Sequence, residues 1–282
     1  MRERDIQTGP RGLRLRVCEW GEPGDSPPLV ILHGYLEQGA AWERVAAQMT
    51  GRYVVAPDQR GHGLSEHVGA GGFYHFWDYV SDLDALVQSL GGTVDLVGHS
   101  MGGTVASYYA GTSPDAIRRL VLVEGLGPPD MTAIAVQRSR KFLADHRRNR
   151  PHRILPDLED AIRRMRHWNT SLPDAEAERL ARRITTPHPD GGLVWTWDVL
   201  HRATAPVPFS EALFIAWIRE IRAPTLLVEG GDSVFRVPHT SERAAALTDA
   251  RAVSIAGAGH LVHHDRPEAL ARVIRDHLSR EP

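Results

Sequence analysis

Hydrophobic positions along the chain fall into two alternating periods. Residues 2 to 20 alternate around a turn at Thr8-Gly9-Pro10-Arg11-Gly12, with Leu13, Leu15 and Val17 opposite Arg14, Arg16 and Cys18, which predicts an opening antiparallel hairpin. Short apolar runs follow at Pro28 to Leu32, Tyr53 to Ala56, Val94 to Val97, Ile117 to Val123, Pro224 to Val228 and Ala252 to Ile255. A run with no polar face must be covered on both sides, as strands of a parallel sheet are. Between the runs, residues 40–50 carry Trp42, Val45, Ala46 and Met49 at helical spacing, and further helices are predicted from about His75 to Leu90 and from Pro267 to Leu278. Strands alternating with helices predict an α/β fold built on a mostly parallel sheet.

From Gly125 the pattern changes. Residues 126 to 220 hold Arg-rich helical stretches, several prolines and Trp168, Trp195, Trp197 and Trp217, with no parallel-strand signal. The expected organisation is a core of residues 1–126 and 220–282 interrupted by a helical cap, 127–219. Such a cap would close an apolar pocket over the carboxyl ends of the strands. Trp168, Trp195, Trp197, Phe209, Phe214 and Trp217 would either line that pocket or pack the cap itself.

Composition narrows the function class. The chain has 282 residues, 42% of them hydrophobic and 24% charged, with a formal net charge of -2. That balance has no electrostatic footprint for nucleic acid or anionic lipid, and a neutral or apolar small molecule fits better. One cysteine, Cys18, cannot form an internal disulfide, and neither a leader-like apolar segment nor a run of membrane-spanning length is present. A cytoplasmic monomer or homodimer is expected.

Candidate chemistry centres on Gly98-His99-Ser100-Met101-Gly102, where the run Val94 to Val97 gives way to helix-forming residues. A G-x-S-x-G turn between strand and helix holds its serine on a strained corner, clear of the sheet. A serine hydroxyl is protonated at neutral pH, so it needs a base and a hole for the oxyanion it generates. The N–H of Met101 is one oxyanion donor, and His33-Gly34-Tyr35, following an apolar run, offers the N–H of Tyr35 as the second. The base is His260, in Gly257-Ala258-Gly259-His260 after the last strand. Two carboxylates at strand ends compete to orient it: Asp232, the favoured one, and Glu124, the alternative. Asp58 is a third option, better suited to anchoring its own loop. His263 and His264 beside His260 lack a completing ligand at a recognisable spacing, so no metal and no cofactor are expected.

These motifs, with Asp58-Gln59-Arg60-Gly61-His62-Gly63-Leu64-Ser65 and Pro267-Glu268, resemble the α/β-hydrolase superfamily over nearly the whole chain. The resemblance implies a mostly parallel eight-stranded sheet flanked by helices, an inserted cap, and a serine hydrolase of carboxylic esters of small to medium hydrophobic substrates. Carbon–carbon bond hydrolases, amidases and perhydrolases use the same triad, and a receptor-like member would bind a ligand without turnover. Epoxide hydrolases and dehalogenases of the fold carry an aspartate where this chain has Ser100. The family's usual acid follows the strand that Asp232 follows, and a subset places it where Glu124 lies. The usual G-x-x-D spacing is not met: three residues after Gly230 comes Ser233, and Asp232 falls one position early.

Overall fold

The opening alternation forms the hairpin it predicts: β1 (Arg2–Gln7) pairs antiparallel with β2 (Arg14–Trp20), Ile6 facing Leu15. The computed structural model describes residues 1–9, 12–148, 151–235, 237 and 240–280. Pro10 and Arg11 of the predicted first turn and the side chain of Trp168 lie outside them. The apolar runs become β3 (Leu29–Leu32), β4 (Val54–Pro57), β5 (Val94–His99) and β6 (Ile117–Val123). A small pair follows, β7 (Thr185–Pro187) and β8 (Leu193–Trp195), then β9 (Thr225–Gly230) and β10 (Ala250–Ile255). The helices are α1 (Glu43–Ala46), α2 (Phe76–Ser89), α3 (Met101–Thr112), α4 (Ala135–His146), α5 (Leu158–Trp168), α6 (Asp174–Arg183), α7 (Glu211–Ile218), α8 (Thr240–Ala245), α9 (Val262–Asp265) and α10 (Pro267–Leu278).

Eight strands make one sheet in the order β1-β2-β4-β3-β5-β6-β9-β10. From β4 to β10 every neighbour is parallel, and β2 joins β4 antiparallel. Alternate residues of the central strands feed separate cores. Val30, Leu32, Leu96, Leu120 and Leu122 pack with residues of α2 and α3, while Leu29, Ile31, Val97, Val121 and Val123 pack with residues of α1 and α10. Burial of each such side chain is worth about 1.5–3 kcal/mol, which is why apolar residues dominate the runs.

The helix expected over 40–50 is shorter than its periodicity suggests. A tight turn at Gly39–Trp42 leads into α1, which ends at Ala46, and Gln48 and Met49 then donate to carbonyls only three residues back. Within 127–219, α5 and α6 pack on each other and the β7–β8 pair is a short antiparallel hairpin. Helix α7 instead joins the main core: Phe214 and Ile218 are fully buried, and Tyr108 of α3 meets the rings of Phe214 at 5.3 Å and Trp217 at 5.4 Å. Phe209 packs on Phe214 at 5.2 Å, so these three aromatics fill core space. Among the described residues no helix is long and apolar enough to cross a membrane.

Close approach of α3 to the segment after β6 depends on Gly103. A Cβ there would lie 2.5 Å from the carbonyl oxygen and 2.7 Å from the Cα of Gly125, backbone atoms that cannot rotate away. Gly103→Ala should therefore destabilise the fold by about 3 kcal/mol, the upper range for overpacking, read as a lowered urea midpoint at unchanged m.

Candidate active site

Strand β5, buried at every position, ends on His99, and the chain reverses at Ser100 with φ 51° and ψ -115° before α3 begins. The Ser100 N–H is held by the Val123 carbonyl at 3.0 Å. Leu36, Ser100 and Glu124, the described non-glycine residues with positive φ, follow β3, β5 and β6. Backbone strain of this kind, about 1–3 kcal/mol each, gathers where side chains must be aimed. Here it gathers at the carboxyl edge of three adjacent strands.

His260 enters from the loop after β10. Gly257 turns the chain with φ 71°, and the Gly259 N–H donates to Asp265 at 2.7 Å, fixing the loop against α9. His260 Nε2 lies 3.1 Å from Ser100 Oγ, and its Nδ1 lies 3.1 Å from Glu124 Oε2. With Nδ1–H donating to the carboxylate, Nε2 is left as the acceptor that the serine hydroxyl needs.

Glu124 is 3% exposed at its side chain, and Oε1 accepts the Gly230 N–H at 2.7 Å while Oε2 also accepts the Ser233 hydroxyl at 2.8 Å. Burial alone would raise its pKa, but the bonds from His260, Gly230 and Ser233 prevail and hold it below its ordinary value. The favoured Asp232 is not at the imidazole. Its N–H donates to the Ala258 carbonyl at 2.9 Å, which turns the side chain outward, exposed and without a hydrogen bond among the described residues. Ser233, three residues after Gly230, points inward and bonds Glu124 instead. The carboxylate beside His260 thus comes from β6, not from β9.

Tyr35 lies in the turn after β3, and Met101 opens α3 directly after Ser100. Among the described residues neither backbone N–H donates to a protein acceptor. The Tyr35 loop is tied down at His33, whose Nε2 accepts the Gln59 N–H at 2.9 Å, while the Tyr35 hydroxyl donates to the His201 carbonyl at 2.6 Å. Asp58 accepts the N–H groups of Gly39 at 2.7 Å and Leu64 at 2.9 Å and pairs with Arg183 at 2.7 Å, a structural anchor.

A second layer lies behind the serine that motif reading does not reveal. Glu37 bonds both His99 and His263 at 2.9 Å, partners far away in sequence. These three present ligand-type atoms within 4.8 Å of one another, a spacing a cation would bridge only by displacing the N–H protons now shared with the carboxylate.

The pair Glu37–His99 also sets a pH dependence of stability. Burial would raise Glu37, but His263 and His99 hold it well below its ordinary 4.5; burial would lower His99, but Glu37 raises it above its ordinary 6.5. The pair's contribution is full between those two values. It is lost as pH falls through the depressed Glu37 value and as pH rises through the elevated His99 value. His62, His263 and His264, lowered chiefly by burial, take up protons on unfolding and weaken the fold below pH 6.5. The urea midpoint should peak near pH 6.5 and decline on both sides.

A family model described as alpha/beta hydrolase fold matches residues 27–267. The chain belongs to the alpha/beta hydrolase fold family. This hydrolase is 27% identical over 278 residues to a serine hydrolase-like protein of Danio rerio, covering 94% of this chain and 85% of that protein. It is 29% identical to lipase LipV of Mycobacterium tuberculosis, covering 94% of this chain and 97% of the lipase. Among solved structures, the thioesterase domain from the curacin biosynthetic pathway superposes with a TM-score of 0.87 at 33% identity, covering 98% of this chain and 99% of that one. The hydrolase thus has a lipase as well as a thioesterase domain among its relatives.

Proposed function

We propose that this hydrolase is a serine carboxylesterase whose triad is Ser100, His260 and Glu124. The observation that carries the reading is the continuous chain Ser100 Oγ, His260 Nε2, His260 Nδ1, Glu124 Oε2, with both links at 3.1 Å. Ser100 Oγ attacks the ester carbonyl as His260 Nε2 takes its proton. The N–H groups of Tyr35 and Met101 hold the resulting oxyanion, and Glu124 stabilises the imidazolium. Collapse expels the alcohol, which leaves with the proton from His260. Water then repeats the sequence on the acyl-enzyme and releases the acid.

Phe235 supports a hydrophobic substrate. Its ring lies 4.6 Å from that of His260 and is 51% exposed, an apolar lip beside the base. A fluorophosphonate probe should label the protein once, and peptide mapping should place the label on Ser100. No labelling, or a label on another residue, would overturn the reading.

The similarity to a thioesterase domain over nearly the whole chain favours a second reading, in which the acyl group arrives as a thioester. The same triad serves, with a thiol in place of the alcohol as leaving group. Comparing kcat/KM for p-nitrophenyl butyrate and butyryl-coenzyme A separates the two.

A further inference from the structure

Glu37 holds three separate parts of the candidate site on one carboxylate. Its Oε2 accepts the Gly34 N–H at 2.7 Å, next to the oxyanion donor Tyr35. The same oxygen lies 2.9 Å from Nδ1 of His99, which immediately precedes Ser100. Its Oε1 lies 2.9 Å from Nε2 of His263, in the helix that follows His260. His99 closes the circuit, because its Nε2 lies 2.9 Å from the carbonyl oxygen of His260. A carbonyl and a carboxylate both accept, so His99 carries a proton on each nitrogen and stands as an imidazolium against Glu37. His99 is 1% exposed and His263 is fully buried, stacked on Trp42 at 4.5 Å and 6°. Water therefore does not compete for these bonds, and the low local dielectric strengthens them.

We propose that Glu37 is a positioning residue of the active site, setting the oxyanion loop, the nucleophile turn and the His260 loop at their working separations; this rests on the serine hydrolase reading above. Strands β3, β5 and β10 deliver these parts, and β10 is not hydrogen-bonded to either of the other two. The sheet alone leaves the loop after β10 free to shift against the turn after β5. The Glu37–His99–His260 link spans that gap directly above the sheet edge. A displacement of about 1 Å at reacting groups costs on the order of 10² in rate, which is the scale of effect a lost tether should have.

Glu37→Gln keeps the side chain's shape but leaves one acceptor oxygen for three N–H donors and removes the charge opposite His99. Wild type, Glu37→Gln, His99→Gln and the double variant are titrated with a fluorophosphonate, and kcat and KM for p-nitrophenyl butyrate are then taken per labelled site. The expected result is a fall in kcat of about 10²-fold in each single variant, KM within about threefold of wild type, and a double variant no worse than the poorer single one. Non-additivity of this kind marks residues acting through one link. An unchanged kcat per labelled site, with only the folded fraction reduced, would make Glu37 a stability residue and overturn the proposal. Strictly additive losses would do the same, as would stoichiometric zinc in the purified wild type that is missing from Glu37→Gln. A wild type that neither labels nor turns over overturns the hydrolase reading and this one together; an active wild type matched by Glu37→Gln overturns this one alone.

Discussion

Replacing Ser100 by alanine is expected to lower kcat for p-nitrophenyl butyrate by about 10⁶-fold, the cost typical of removing a triad nucleophile. That factor corresponds to about 8 kcal/mol of lost transition-state stabilisation. The fold should be unaffected, because among the described residues the Ser100 side chain bonds only His260 and its strained backbone is held by the Val123 carbonyl, which alanine keeps. Oxyanion donors and substrate binding would leave a residual rate above that of water. Thermal unfolding by circular dichroism should superpose on wild type, while activity above a few per cent would eliminate Ser100 as nucleophile.

The second large effect separates two carboxylates. Glu124→Gln should cost on the order of 10⁴ in kcat, because an amide can present its N–H₂ to Nδ1 and so favour the tautomer whose Nε2–H faces the serine. An imidazole in that state cannot accept the Ser100 proton. Asp232→Asn should stay within about twofold of wild type, as expected for an exposed side chain with no bond to the ring. Measured side by side at constant pH, equal losses in the two variants would contradict this assignment, and a loss confined to Asp232→Asn would reverse it.

Why Asp232 reads as the better acid from sequence is instructive. Both carboxylates follow parallel strands, and β6 and β9 are hydrogen-bonded neighbours, so either strand end lies near the loop that carries His260. Position along the chain cannot separate them. The decision falls to the turn after β9, where the Asp232 N–H is captured by Ala258 and Ser233 rotates inward. Glu124, longer by one methylene and set at φ 49°, then reaches the imidazole from the adjacent strand.

Other features divide along the same line. The four-residue α9 has too few positions to show a period, and the early end of α1 reflects tight-turn bonding that composition does not signal. Glu37, His99 and His263 come from three distant segments, so no spacing rule joins them. In contrast, the strand runs, the hairpin alternation, the glycines of the serine turn and the final helix are all readable directly. Each depends on what a residue and its near neighbours can bury or which backbone angles they can adopt. Local pattern was therefore sufficient for the α/β architecture and for Ser100 and His260 as candidates. Which carboxylate meets the imidazole, and which buried acid ties the loops together, rested on tertiary structure alone, because those contacts form between chain segments whose relative placement no local preference encodes.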